Sequence, residues 1–292
     1  MTFGNRGPAG KGGAGYGFAV THNTIVPFCE TSIESDPIVN FSELTDYRSL
    51  FGRALRLPLC LLPKSARMPI LQGPLRGKRW IVGSSNHGCW LGSYEYGKQA
   101  AFAASIRPGD VVYDIGAHVG FYSLLASVLV GPEGRVFSFE PLPENLAFLR
   151  KHLEMNLVMN CVVCDVAIGR SEGVAAFSPG PASTMGRLSQ DANAPLSVRT
   201  VSLDAFVFSS AMPPPNVIKC DIEGGEYDAL LGASTLLAKY HPTIFLATHG
   251  SAVHSRCCEL LQQFAYQLKS LDGRPLDESS EILAARGEPF SK

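Results

Sequence analysis

NVIKCDIEGGEYDALLGA, residues 216–233, starts as a buried strand and ends as an amphipathic helix, with charge gathered at the junction. Val217, Ile218 and Cys220 suit a central strand, where an unpaired charge would be costly to bury. Lys219, Asp221 and Glu223 alternate, so an extended chain points all three to one side. Gly224 and Gly225 break the strand, and Glu226 opens a helical pattern carried by Leu230 and Leu231. Charge at the carboxyl end of a strand marks the place where open α/β sheets bind ligands.

Outward from this stretch the same rhythm repeats. DVVYDIG (110–116) is a buried strand, and Phe121, Leu124, Leu125, Val128 and Leu129 follow at helical spacing, with Gly131 as the stop. GRVFSFE (134–140) is a second strand, followed by a helix that starts near Pro143 and buries Leu146, Leu149 and Leu153. CVVCDVAIG (161–169) reads as a third strand. GVAAFSPG and VRTVSLD flank a polar loop, 179–197, long enough to be a lid. A helix over 226–238 follows the opening strand, then the strand TIFLATHG (243–250) and a helix with Val253, Cys257, Leu260, Leu261 and Phe264 on one face. YQLKSLDG (266–273) begins a closing strand or hairpin. Alternating elements predict an α/β, Rossmann-like, doubly wound and mainly parallel sheet of about seven strands, in a domain over 107–292.

The residues before it read differently. Residues 1–20 hold seven glycines and no acid, the composition of a flexible tail. A phosphate cradle there would need a Gly-Lys-Ser/Thr ending, which is missing. Residues 21–106 form an N-terminal extension, with a short helix around Phe41–Leu55 and a hairpin at 69–83. Between Tyr47 and Tyr94 stand Arg48, Arg53, Arg56, Lys64, Arg67, Arg76, Lys78 and Arg79 without one acidic residue, which suits a solvated face or an anion-attracting rim.

Composition bounds the function. With 46% hydrophobic residues and a net charge of −1, the 292-residue chain can bury a full core and gives no reason to expect nucleic acid. Eight cysteines, among them Cys161-x-x-Cys164 and the Cys257–Cys258 pair, lack a second pair at zinc spacing and fit buried thiols in a reducing compartment. No apolar run is long enough for a membrane span, and the Met1 end lacks a signal-peptide pattern, so the expected location is cytoplasmic.

The strand 110–116 runs into Asp114-Ile-Gly116-Ala-His118-Val-Gly120, a turn whose glycines can bring backbone N–H groups to a ligand at a helix N-terminus. Glu140 ends the next strand, where an acid can accept both hydroxyls of a ribose. NAD and S-adenosylmethionine both carry adenosine. A pyrophosphate turn wants glycine where His118 stands, whereas the compact methionine moiety tolerates a side chain there. Asp114 fits a loop that faces the methionine ammonium, or simply braces that loop.

VVYDIGAHVGFYS, VFSFEPLPENL, VSLD and above all IKCDIEGGE resemble the FkbM-type methyltransferases, which are class I S-adenosylmethionine-dependent enzymes. LGSYE (91–95) fits as well; residues 1–65 lie outside the resemblance, and 179–197 follow it only loosely. The resemblance implies that Asp114, Gly116, Gly120 and Glu140 take the cofactor, with His118 in the same turn and Glu95 lining the site. Asp165 and Val166 then occupy the place where such enzymes meet the adenine. The implied reaction is O-methylation of a sugar, glycolipid or polyketide-like hydroxyl.

The sheet order usual for such folds sets the strand ending at Asp221 between those ending at Asp114 and Thr248. Asp221 and His249 then face one crevice. His249 suits a general base oriented by a neighbouring carboxylate, with Glu223 and Lys219 completing the catalytic set. Lys219 also suits an internal ion pair, and Glu226 and Asp228 suit a helix N-terminus. Asp221, Glu223 and His249 could alternatively hold a divalent cation, although no residue is assigned to a metal at this point. A nicotinamide-dependent oxidoreductase and a non-catalytic binding module that retains the fold stay open beside the methyltransferase.

Overall fold

A computed structural model of the protein describes residues 61–179, 186–189 and 196–287. The proposed tail, the helix around Phe41–Leu55 and most of the polar loop lie outside these residues. The chain enters with an antiparallel pair, β1 (Arg67–Pro69) and β2 (Arg79–Ile81), followed by α1 (His87–Leu91) and α2 (Tyr96–Ser105). Alternation then sets in with β3 (Val111–Ile115), α3 (Phe121–Leu129), β4 (Arg135–Phe139), α4 (Pro143–Met155) and β5 (Cys161–Cys164). A small sheet of β6 (Ala167–Ile168), β7 (Gly173–Pro179), β8 (Gly186–Ser189) and β9 (Leu196–Val201) interrupts it. The main sheet resumes with β10 (Val217–Cys220), α5 (Glu226–Leu231), α6 (Ser234–Tyr240), β11 (Thr243–Ala247), α7 (Ser251–Gln263), β12 (Gln267–Ser270) and β13 (Glu281–Ala285).

Seven strands form the main sheet in the order β12-β13-β11-β10-β3-β4-β5. β13 runs antiparallel to both neighbours, and β11, β10, β3, β4 and β5 run parallel. The chain winds outward from β3 through β4 to β5, then returns to β10 on the other side. The sheet is therefore Rossmann-like and doubly wound, with its switch point between β3 and β10. Alternate residues feed two cores. Tyr113, Ile115, Ile218 and Ile244 pack with Leu230, Leu237 and Leu261 of α5, α6 and α7. Val112, Val136, Val217 and Phe245 point the other way, to Phe102, Leu124, Leu125 and Trp80. Among the described residues no helix is long and apolar enough to cross a membrane.

Three sequence boundaries shift. The segment 161–169 is two strands, because the chain leaves the main sheet after Cys164 and its continuation pairs with β9 instead. The loop 179–197 contains β8, which pairs antiparallel with β7. The helix over 226–238 breaks into α5 and α6 at Gly232, where a Cβ would lie 2.3 Å from the Gly169 carbonyl. Asp204 then caps the second half, accepting from the N–H groups of Thr235 (2.9 Å) and Leu236 (2.8 Å).

The open edge of β2 is closed by side chains of α4 and of the residue that follows it. Asn156 accepts from the Arg79 N–H at 2.8 Å and donates to its carbonyl at 2.9 Å. His152 accepts from the Ile81 N–H at Nε2 (3.2 Å) and donates from Nδ1 to the Val119 carbonyl (2.7 Å). Its ring stacks on Trp80 with centroids 3.7 Å apart. One fully buried histidine thus ties the hairpin to the turn after β3.

Candidate active site

The lysine on a buried strand has a partner in register. Lys219 on β10 lies beside Asp114 on β3, which lies beside Ser138 on β4, all on one face of the sheet. The Asp114 carboxylate is fully buried, accepts from Ser123 Oγ at 2.6 Å and sits 3.6 Å from Lys219 Nζ. Ser138 Oγ donates on to Ser123 Oγ at 2.8 Å. Lys219 Nζ also donates to the Gly116 carbonyl at 3.0 Å and stands 3.9 Å from Asp221. Burial alone would lower the Lys219 pKa, but the Asp114 and Asp221 carboxylates raise it, so the charge is kept. This row braces the floor of the site from below.

Above it, at the carboxyl ends of β3, β4 and β10, lies a cavity of about 510 Å³. Gly116, His118 and Glu140 line it on one side, with Ala167, Ile168 and Phe177 beside them. Tyr94, Tyr122, Lys219, Asp221 and Glu223 line it on the other. Phe177 comes from the small sheet, a contribution that no spacing in the sequence announces.

The turn after β3 is built differently from the expectation. The N–H groups of Gly116 and Ala117 both donate to the Phe139 carbonyl at 3.0 Å, Gly120 donates to Ala117 at 2.8 Å, and His118 donates to Glu140 at 2.8 Å. These amides are committed within the protein and are not aimed at a ligand. The glycines answer to packing. A Cβ at Gly116 (φ 75°) would lie 2.0 Å from the Asp221 carbonyl, and one at Gly120 (φ 92°) would lie 2.4 Å from Leu149. A pyrophosphate, which is held by free backbone N–H groups, finds none in this set.

Glu140 is buried, accepting from His118 N–H at Oε2 and from Leu142 N–H (2.9 Å) and Asn145 Nδ2 (3.2 Å) at Oε1. A carboxylate has about four lone-pair directions, so Oε2 retains one for a hydroxyl. Burial raises the Glu140 pKa, against the pull of its three donors and of Lys219. Burial likewise lowers the His118 pKa to about 4, and the neutral ring keeps Nε2 without a hydrogen-bond partner among the described residues.

Other expected cofactor residues stand elsewhere. Asp114 and Gly120 lie behind the cavity wall, and Asp165 is exposed, 3.9 Å from Arg150. Val166 packs against the core, leaving the next two residues, Ala167 and Ile168, to form the wall. Glu95 accepts from the Tyr122 hydroxyl at 2.8 Å, and its neighbour Tyr94 takes the lining position. Lys98 of α2, which belongs to no motif read above, gathers three carboxylates: Glu281 (2.9 Å), Glu95 (3.2 Å) and Asp221 (3.7 Å). Burial raises the Asp221 pKa, but Lys219 and Lys98 outweigh it and hold the group ionised.

β10 and β11 are neighbours, so Asp221 and His249 meet as expected, but a different carboxylate orients the ring. Glu226, fully buried at the start of α5, accepts from His249 Nδ1 at 2.8 Å. The same Oε1 accepts from Gly224 N–H at 2.9 Å. His249 Nε2 faces Glu223 at 3.5 Å and Asp221 at 3.8 Å. The bond to Glu226, opposed by partial burial and reinforced by the charges of Glu226, Asp221 and Glu223, pushes the His249 pKa up to about 9. Without a further cation, His249 is mostly protonated at neutral pH and is poorly suited to accept a proton.

Residues 114–268, just over half of the chain, match the model of the Methyltransferase FkbM domain. The chain belongs to the FkbM methyltransferase family. It is 28% identical over 128 residues to the hexuronic acid methyltransferase AglP of Haloferax volcanii, covering 44% of this chain and 52% of that protein. It is 42% identical over 66 residues to the 31-O-demethyl-FK506 methyltransferase FkbM of Streptomyces tacrolimicus, covering 21% of this chain and 25% of that one. The match therefore spans about half of the first relative and a quarter of the second. A crystal structure of an FkbM methyltransferase from Methylobacillus flagellatus KT aligns with 69% of this chain and 55% of its own, at 17% identity and a TM-score of 0.44. The matched residues run from the end of β3 through α7 into β12, and include Glu140, Asp221 and His249.

Proposed function

We propose that the protein is an S-adenosylmethionine-dependent O-methyltransferase acting on a hydroxyl of a sugar, glycolipid or polyketide-like acceptor. The observation that carries this reading is the turn 116–120: the amides of Gly116, Ala117, His118 and Gly120 are spent inside the protein, while Glu140 beside it keeps an open acceptor direction. That pairing suits an adenosyl group without a pyrophosphate, and it disfavours a nicotinamide dinucleotide. The acceptor class rests on the two named relatives, one a hexuronic acid methyltransferase and one a methyltransferase of demethylated FK506.

When bound, S-adenosylmethionine supplies an electrophilic methyl group on a sulfonium. Glu140 would accept from the ribose, and Ile168 and Phe177 would give the adenine an apolar wall. Tyr94 and Tyr122 offer aromatic surface to a cationic group on the other side of the cavity. Asp221 and Glu223 present carboxylate oxygens to an acceptor hydroxyl there and orient it by hydrogen bonding. Lys219 and Lys98 keep Asp221 ionised for that task. In the metal-free site His249 is poorly set to accept the hydroxyl proton, because Glu226 and its neighbours favour the charged ring.

A survey with cofactor labelled at the methyl group, against extracted glycans and hydroxylated small metabolites, tests the proposal. Base-stable label on an acceptor oxygen is expected. Label found only on carboxyl or nitrogen atoms would overturn the O-methylation reading.

A further inference from the structure

Three donor atoms converge beside the cavity from separate parts of the chain. Asp221 follows β10, Glu223 lies in the loop before α5, and His249 follows β11. One atom from each, His249 supplying a ring nitrogen and the acids one oxygen each, lies within 4.8 Å of the others. The Nε2 separations of 3.5 Å from Glu223 and 3.8 Å from Asp221 are long for hydrogen bonds. They match the spacing of ligands around one ion, where bonds of about 2.1 Å set donors roughly 3–4 Å apart.

Outside this donor set stands Glu226, fully buried and fixed by the Gly224 amide. By accepting from Nδ1 it dictates that Nε2 is the ring atom turned to Asp221 and Glu223. A carboxylate on the far nitrogen of a histidine is the usual outer partner of a metal-bound imidazole. Asp221 and Glu223 also line the cavity, so an ion there would keep coordination positions open toward an acceptor.

We propose that Asp221, Glu223 and His249 bind a divalent first-row transition-metal ion, with Glu226 positioning the imidazole. One nitrogen and two carboxylate oxygens favour an ion of the manganese class over calcium or magnesium, which take oxygen ligands. The donor set stands independently of the methyl-transfer reading. The role given to the ion rests on that reading: it would bind an acceptor with two neighbouring oxygens, such as a vicinal diol or a hydroxy acid. There it would lower the pKa of the hydroxyl to be methylated.

The test is a titration of the full-length protein with manganese(II) chloride, free ion being followed by electron paramagnetic resonance, without cofactor. One ion per chain is expected, with magnesium competing only in large excess. Glu223→Gln and His249→Ala should each weaken binding at least tenfold, and Glu226→Gln, outside the donor set, about 10- to 100-fold. Circular dichroism and S-adenosylhomocysteine calorimetry on the same variants verify that the fold and the cofactor side are intact. No binding at millimolar manganese, or binding that these substitutions leave unchanged, overturns the site. Manganese bound without any affinity for S-adenosylhomocysteine would uphold the metal site and sink the methyl-transfer reading. The reverse result would do the opposite.

Discussion

His152 should make the stability of this protein fall steeply on mild acidification. Burial lowers its pKa from 6.5 to about 4, and the bond to the Val119 carbonyl only partly offsets this. Nε2 accepts from the Ile81 amide, so protonation there removes an acceptor and places a charge against Trp80. Between pH 6.5 and 4 the unfolded chain therefore binds more protons at this position than the folded one. The contribution is complete above about 6.5 and is lost as pH falls toward 4. A difference of about 2.5 pKa units corresponds to roughly 3 kcal/mol in full, of which about 2 kcal/mol is lost between pH 7 and pH 5. Urea unfolding of wild type and His152→Gln at half-unit pH intervals isolates the effect, because His118 and the carboxylates titrate in both. At pH 7 the variant should be weaker by about 2–4 kcal/mol, from imperfectly paired Val119 and Ile81 backbone groups. The gap should close by about 2 kcal/mol at pH 5. Parallel curves over pH 5–7 would refute the buried, neutral histidine.

Two further substitutions probe the frame of the cavity. Lys98→Met leaves Glu95, Asp221 and Glu281 without their shared cation and should cost about 3–5 kcal/mol in urea unfolding at pH 7. Gly116→Ala sets a Cβ on the Asp221 carbonyl at positive φ and should cost about 3 kcal/mol, read as a lowered thermal midpoint.

The parallel sheet was legible because β3, β4, β10 and β11 are short apolar runs, each followed by turn residues and a helical period. Register was not. Nothing in the chain says that Lys219 faces Asp114, so an ion pair for Lys219 and a bracing role for Asp114 are legible one by one, but not that the two pair to form a floor beneath the site. The glycines of the turn 116–120 read as ligand-facing, and Gly116 does line the cavity; yet what demands glycine is packing, against the Asp221 carbonyl after β10 for Gly116 and against Leu149 of α4 for Gly120. Glu226 reads as an ordinary acid at a helix start, and its contact with His249 depends on how β10 and β11 lie side by side. Lys98 and Phe177 reach the site region from the extension and the small sheet, outside the strand–helix repeat that made the rest readable.

Calorimetry with S-adenosylhomocysteine and with NADH, on wild type and Glu140→Ala, tests the central claim most directly. The account predicts one S-adenosylhomocysteine per chain and no heat with NADH. It also predicts at least tenfold weaker binding in the variant, since a hydrogen bond to a charged carboxylate contributes about 1.5–3 kcal/mol and about 1.4 kcal/mol is tenfold. Saturable binding of NADH, with none of S-adenosylhomocysteine, would contradict it.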